Sequence, residues 1–449
     1  LTRQGSPPRI PAPLLAIYSF AALIFCAVAA PWFAWRSRRD PALRASLRGR
    51  LGRGARRGGA RPCVWFHAVS VGELRLSRAL VDRFAESRPD LDVAVSATTA
   101  AGLALAREMH GARPGRFVFE FPLDARFAVR RVFERVRPAA LVLVELELWP
   151  NVLAEARRRG VPVAVVNARV SDRSFPRYRL LEPIARAFAQ VDAWFARDAV
   201  VAGRLRELGV DEARVATPGN LKHDALRTTA DAAKVARLRA ECGLDEHARV
   251  VVGGSTHPGH PGEEELLVAL LPQLEKTAPG LRLLVAPRHV ERGGEVARTI
   301  ERAGRRAALL TELRRTGAVA PADAVVVVDT IGELEAVYSL ADVVFVGGSL
   351  VPRGGQNVLE PAALGKPTLF GPGTANFTRE VERLRERAAA VEVADGPALG
   401  REIARLLGDP EARRDLGERA RAAAAGLQGG TERTLAGLVA WLAARAIVG

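Results

Sequence analysis

The sequence predicts an α/β protein built from two doubly wound parallel-sheet domains, and three observations carry that expectation. Short apolar runs such as "CVWFHA" and "AALVLVE" alternate with amphipathic helical stretches. These runs are apolar throughout, the mark of strands covered on both faces of a parallel sheet; strands with one wet face alternate in polarity instead. The alternation stops once, in a polar, alanine-rich stretch from Arg227 to Glu246, and then restarts. A length of 449 residues exceeds one core, and 48% hydrophobic with 26% charged residues is a globular balance.

Residues 1–11 read as a disordered lead. From Ile10 to Trp35 no residue is charged. The run "PLLAIYSFAALIFCAVAAPWFAW" is long enough to cross ~30 Å of hydrocarbon, so a single-pass transmembrane anchor is expected over 12–35. Trp32 and Trp35 stand at its end, where an interfacial aromatic belt belongs. Ten arginines and one aspartate follow between Arg36 and Arg61. A signal peptide would be shorter and would carry its charge in front. The arginine-rich segment 36–61 therefore reads as juxtamembrane and lipid-facing, with the remainder of the chain cytoplasmic.

The first domain, 62–227, carries strands at "CVWFHA", "LDVAVSA", "RFVFEF", "AALVLVE", "VPVAVVN" and "VDAWFA", with helices such as "ELRLSRALVDRFAES" between them. The second, 228–449, restarts with "ARVVVGGS", "LRLLVAP", "DAVVVVDT", "DVVFVGGS" and "KPTLFG" and ends in helices. Ligands of such sheets bind beyond the carboxyl ends of the strands, where the strand order reverses. The net charge of +16 favours anionic partners. Three scattered cysteines, Cys26, Cys63 and Cys242, make neither a disulfide framework nor a zinc site and suit a reducing compartment.

The strand ends of the first domain hold carboxylates. Ser70-Val71-Gly72-Glu73 fits a capping box, in which Ser and Glu satisfy the first N–H groups of a helix. A carboxylate on a glycine-loosened turn just past a buried strand is equally a place for a catalytic base. Glu145 and Glu147 end the next strand motif, on one side by the period of two, and such a pair is costly unless solvated, paired or functional. Asn167 and Arg169 follow another strand, and Lys222 and Asp224 stand at the domain junction.

The second domain holds the glycine-rich turns. Ser255 and Thr256 close "VGGST" ahead of a helix opening near Gly262, an arrangement that offers backbone N–H groups to phosphate. Gly347, Gly348 and Ser349 repeat the logic, followed by Gly355, Gln356 and Asn357 at a helix start. Glu360 lies one turn on, where it could accept from ribose hydroxyls. Arg288 and His289 follow a strand, and Arg288 suits a phosphate or carboxylate. Asp329 and Glu333 are read equally well as helix caps. No H-E-x-x-H, G-x-S-x-G or Walker A motif is present, and no metal or cofactor is expected.

Taken together, "HAVSVGE", "ELELWPN", "NARVSDRS", "GNLKHD", "GSTHPGHPGEEE", "APRHVER", "DTIGEL" and "FVGGSLVPRGGQNVLEPA", in order across residues 64–377, resemble the 3-deoxy-D-manno-octulosonic acid (Kdo) transferases. The resemblance implies a GT-B glycosyltransferase, with two Rossmann-like domains facing an interdomain cleft: the acceptor on the first, the nucleotide sugar on the second. It implies CMP-Kdo as donor, the lipid A precursor as acceptor and no metal. Glu73 would be the general base of an inverting transfer, with Glu145 or Glu147 also catalytic. Arg288, Gly348, Ser349, Asn357 and Glu360 would bind the donor, with Lys222 and Ser255 nearby. The chain departs from the family at Gln356 and Gly373, where histidine is usual, and in the extra residues of "THPGHPGEEE".

Two other readings compete. Another membrane-associated GT-B enzyme using a UDP-sugar would release UDP and ignore CMP-Kdo. A non-catalytic basic tether would bind nucleic acid in a salt-dependent manner, leaving the strand-end carboxylates unexplained; anionic membrane lipid, not nucleic acid, is the expected polyanionic partner.

Overall fold

The computed structural model describes residues 11–54 and 56–445. The chain forms two compact units, Leu1–Ala225 with Gln428–Gly449, and Leu226–Leu427. The expected lead, residues 1–11, lies outside the described residues except for its last position.

The sheet of the first unit contains β1 (Cys63–Ala68), β2 (Asp92–Ala97), β3 (Arg116–Glu120), β4 (Ala140–Val144), β5 (Val163–Ala168), β6 (Ala193–Ala196) and β7 (Val215–Ala216). Its order is β3-β2-β1-β4-β5-β6-β7, parallel throughout. Cys63, Trp65, Leu141, Leu143, Val163 and Val165 fill one face. Val64, Phe66, Val142, Val144, Ala164 and Val166 fill the other. That is the period of two in a strand buried on both sides. Only Phe119 of β3 is fully buried, because β3 is an edge. Chain order reverses between β1 and β4, so their carboxyl ends flank the switch point.

The second unit repeats the plan with β8 (Val250–Thr256), β9 (Arg282–Pro287), β10 (Arg306–Leu309), β11 (Ala324–Val327), β12 (Val343–Val346), β13 (Thr368–Phe370) and β14 (Val391–Glu392). The order is β10-β11-β9-β8-β12-β13-β14, again parallel. Its switch point lies between β8 and β12, where both glycine-rich turns emerge.

The N-terminal expectations need correction. The apolar run is a helix, Ala12–Arg39, with Pro31 inside it. Among the described residues, however, no helix is long and apolar enough to cross a membrane. One side of this helix carries polar groups that bond the first unit. The Ser19 hydroxyl donates to Asn151 Oδ1 at 2.7 Å, and the Tyr18 hydroxyl bonds the Asp124 carboxylate. Burial holds that carboxylate up at about 6 although Asn151 N–H, Tyr18 and Val152 N–H all bond it. Elsewhere the helix exposes Ile17, Phe20, Leu23, Ile24, Val28, Trp32 and Trp35, and Arg36 and Arg39 lie over the rings of Trp32 and Trp35.

The segment 36–61, expected to be juxtamembrane and lipid-facing, is in large part built into the first unit. It forms the helix Pro41–Arg48 and the turn Gly49–Arg53, packed on the first unit. Arg50 donates to the Thr98 carbonyl. Arg57 is buried, donating to Asp92 at 2.6 Å and to the Val136 carbonyl at 2.8 Å, and Arg61 donates to the same aspartate. Part of the arginine charge is thus consumed inside the fold.

The C-terminal boundary also differs. The last helix, Gly430–Ala443, belongs to the first unit and not the second. Leu438, Trp441 and Leu442 enter its core, and each buried leucine contributes ~1.5–3 kcal/mol. Asp224 caps the helix, Oδ1 accepting from Gly429 N–H at 2.6 Å and Gly430 N–H at 3.2 Å, and Oδ2 from Thr431 N–H.

Candidate active site

In the first unit, β1 runs into Val69, Ser70 and the helix Val71–Ser87, which puts Glu73 in the first helical turn at the switch point. Ser70 is the N-cap; its hydroxyl accepts from Glu73 N–H and donates to Glu73 Oε1 at 3.1 Å. Glu73 Oε2 accepts from the N–H of Val69 at 2.7 Å, not from Ser70, the usual capping-box partner. Glu73 thus shares the capping with Ser70, one residue upstream of the usual position. Burial raises its proton affinity, opposed by Val69 N–H and Ser70 and assisted by the charge of Glu145. Gly72 is not sterically required, since a Cβ there would meet only Ser70 Oγ, at 3.8 Å.

Strand β4 ends at Val144, and Glu145 turns out of it with φ +63°. Glu145 and Glu147 therefore lie beyond the strand and do not share a face of it by the period of two. Both are nonetheless close enough to Glu73 to act on its charge or feel it. Glu147 is pushed up to about 7, first by burial and then by the charge of Glu73, partly offset by the Trp149 N–H and reinforced by Glu145. Trp149 Nε1 donates to Glu147 Oε2 at 3.0 Å. The indole packs on Phe121, itself stacked at 3.6 Å on His67. His67, on β1, is buried and receives or gives a hydrogen bond at Ser96 Oγ, 2.9 Å away; burial pushes it down to about 3, so it stays neutral. Nothing in the sequence marks this supporting stack except the aromatic run of β1 and β3.

Arg169 is exposed, its Nη1 3.9 Å from Glu145 Oε2. Asn167, with φ +52°, is buried and accepts from Leu221 N–H at 3.1 Å, so its side chain secures the loop that bears Lys222. Lys222 lies in the first unit, with the acidic cluster's own domain.

In the second unit the turn after β8 holds Ser255 at φ +53°, with the buried Tyr338 hydroxyl bonding it from beneath. The Thr256 hydroxyl donates to Glu264 Oε1, which also accepts from Arg292. The turn after β12 was expected to offer its N–H groups to phosphate. Instead, those of Gly348, Ser349 and Leu350 donate to the carboxylate of Glu263. The Ser349 hydroxyl donates to the Val346 carbonyl and accepts from Gly371 N–H. Gly347 is sterically forced, since a Cβ there would lie 2.6 Å from the Ser255 carbonyl oxygen.

Beyond this turn, Gly355, at φ +78°, donates its N–H to the Gly348 carbonyl. Gln356 Nε2 meets His257 Nε2 at 3.1 Å. Asn357 Nδ2 donates to Glu360 Oε1 at 2.9 Å, and its Oδ1 accepts from Leu359 N–H. Arg288 and His289 are exposed after β9. At Gly373 a Cβ would approach the Ser349 carbonyl to 2.9 Å, which accounts for glycine there. Asp329 and Glu333 are structural: Asp329 accepts from Thr311 N–H, and the buried Glu333 accepts from Arg237 and Arg314. Among the described residues, no three His, Cys, Asp or Glu side chains are grouped to hold a metal ion.

The family model described as 3-Deoxy-D-manno-octulosonic-acid transferase (kdotransferase) matches residues 45–225. The 3-deoxy-D-manno-octulosonic acid transferase of Bordetella pertussis is 34% identical over 84% of this chain and 87% of its own length. That of Haemophilus influenzae is 31% identical over 79% and 81%. Among solved structures, the UDP-GlcNAc 2-epimerase of Neisseria meningitidis covers 84% of this chain and 99% of its own, with a TM-score of 0.55. At 12% identity that is a likeness of fold alone. A two-sheet fold of this kind, with relatives of one name matching across both units, settles the family: the chain belongs to the 3-deoxy-D-manno-octulosonic acid transferases and is a glycosyltransferase.

Proposed function

We propose that the enzyme transfers Kdo from CMP-Kdo to a sugar hydroxyl of the lipid A precursor with inversion, Glu73 acting as general base. One observation carries the reading: at the switch point of the first sheet, a carboxylate kept basic by burial stands beside a second that holds a proton near neutral pH. As the acceptor oxygen bonds to the anomeric carbon of Kdo, its proton passes to Glu73. The bond from that carbon to the phosphate oxygen breaks, and CMP leaves with the electron pair. Glu147, in the fraction that carries its proton near neutral pH, donates a hydrogen bond to the acceptor sugar. Arg288 and Asn357 serve the donor's anionic groups, and the reaction needs no metal.

The enzyme works at the cytoplasmic face of the inner membrane. In support, the helix Ala12–Arg39 exposes an apolar side flanked by Trp32, Trp35 and arginines. The apolar side chains it exposes would enter the lipid, while Tyr18 and Ser19 stay bonded to the first unit.

The test is incubation of the enzyme with CMP-Kdo and a tetra-acylated lipid A precursor, followed by product mass and release of CMP. Parallel reactions contain UDP-sugars. Kdo-sized mass increments with stoichiometric CMP are expected; release of UDP, with CMP-Kdo untouched, refutes the reading.

A further inference from the structure

The turns after β8 and β12 are tied together by one side chain that neither glycine motif announces. Glu263, the first residue of the helix Glu263–Thr277, is 0% exposed. Its Oε2 accepts from His257 N–H at 2.9 Å and from Gly348 N–H at 2.7 Å; its Oε1 accepts from Ser349 and Leu350 N–H at 3.0 Å each. Successive N–H groups converge on one point because Gly348 adopts φ +69°. Such a concavity ordinarily takes an anion from outside. Here the chain supplies its own, from 85 residues earlier. Gly347 admits it: a Cβ at that position would sit 2.7 Å from Glu263 Oε2.

The outer side of the same turn then carries the loop beyond it. The Gly348 carbonyl accepts from Gly355 N–H at 2.7 Å, and the Ser349 carbonyl from Gly373 N–H at 2.9 Å. Gly355 leads directly into Gln356 and Asn357. Four hydrogen bonds to an ionised carboxylate, away from water, are strong and directional. They fix this loop before any ligand arrives, which is what lowers the cost of binding one.

We infer that Glu263 is a positioning residue for the donor: its carboxylate fills the Gly348–Leu350 amide concavity and so holds the Gly355–Asn357 loop in its nucleotide-sugar-binding conformation. The inference rests on CMP-Kdo being the donor. It also assigns the donor phosphate to side chains outside the concavity, with Arg288 exposed and suited to it.

Glu263→Gln, the isosteric change, turns part of the acceptor array into a donor facing N–H groups. We expect the KM for CMP-Kdo and the Kd for CMP to rise about 10–100-fold, the equivalent of ~1.4–2.7 kcal/mol. The kcat should fall less than ~3-fold and the acceptor KM stay within about twofold. Amide hydrogen exchange should quicken at residues 348–350 while the core of the helix Glu263–Thr277 stays protected. A donor KM within about twofold of wild type overturns the inference, as does a parallel rise in donor and acceptor KM. Should the variant not fold, wild-type exchange decides: amides 348–350 exchanging at free-peptide rates overturn it, and protection by ~10³-fold or more supports it. A wild-type enzyme that ignores CMP-Kdo removes the functional reading itself, whereas normal wild-type turnover with an unchanged variant removes only the role of Glu263.

Discussion

Glu73→Gln is the sharpest test of the chemistry, because the local geometry separates its structural cost from its catalytic one. The glutamine oxygen can still accept from Val69 N–H, and its amide group can donate to Ser70 Oγ, so both contacts of the carboxylate keep a counterpart. Exchanging one charge-assisted bond for a neutral one costs ~1 kcal/mol, and relief from burying a charge offsets part of that. The melting temperature should therefore move by only a few degrees. Loss of a general base removes ~10²–10⁴-fold of rate, or ~2.7–5.4 kcal/mol of transition-state stabilisation. The assay is initial-rate transfer from CMP-Kdo, read by product mass, with kcat and both KM values determined across pH. Burial raises the proton affinity of Glu73, so the acid limb of the wild-type kcat profile should lie above the ordinary carboxylate range and vanish in the variant. Turnover within about tenfold of wild type would refute the assignment of the base.

Three further outcomes follow. Glu147 is held at about 7 mainly by burial, so the stability of its protonated form is complete below the ordinary carboxylate range and lost as the pH passes about 7. Glu147→Gln should therefore match wild type near pH 4 and exceed it by ~1–2 kcal/mol at pH 8, after discounting ~1.4 kcal/mol per pH unit for partial exposure; equal stability at both pH values in denaturant unfolding would contradict the shift. Asp224→Ala, which strips three N–H groups of the last helix of their acceptor, should cost ~1–2 kcal/mol and speed proteolysis within Gly430–Ala443. Phe20→Asp together with Val28→Asp, on the exposed side of the first helix, should cut binding to anionic vesicles at least tenfold in a sedimentation assay while leaving CMP affinity unchanged; undiminished binding would exclude that surface as the contact.

How far the sequence could be read is instructive at particular residues. The apolar runs from Cys63 to Ala196 and from Val250 to Phe370 identify most strands, because a strand buried on both faces has little choice of side chain. Three of the four edge strands escape notice: β7 and β14 are two residues each, and β10 exposes Arg306. Glu73 and Glu147 are conspicuous as charges next to buried strands. Glu263 is not, since its partners lie far along the chain and three consecutive glutamates at a helix start look like a dipole cap. The first helix misleads for a related reason. A run that is apolar all round suggests hydrocarbon on every side, whereas Tyr18 and Ser19 are spent on Asp124 and Asn151.

The return of Gly430–Ala443 to the first unit makes the second unit a cassette. The chain enters it at Leu226 and leaves it at Leu427, and everything outside that interval is one body. Cut after Ala225, the first body would lack the leucines and tryptophan that seal one face of its sheet, whereas 226–427 is a single uninterrupted stretch. The doorposts are already clamped, because the Asp224 carboxylate grips the N–H of Gly429 across 205 residues of sequence. Second units from other family members could thus be grafted between these two points, with the first body kept whole as host.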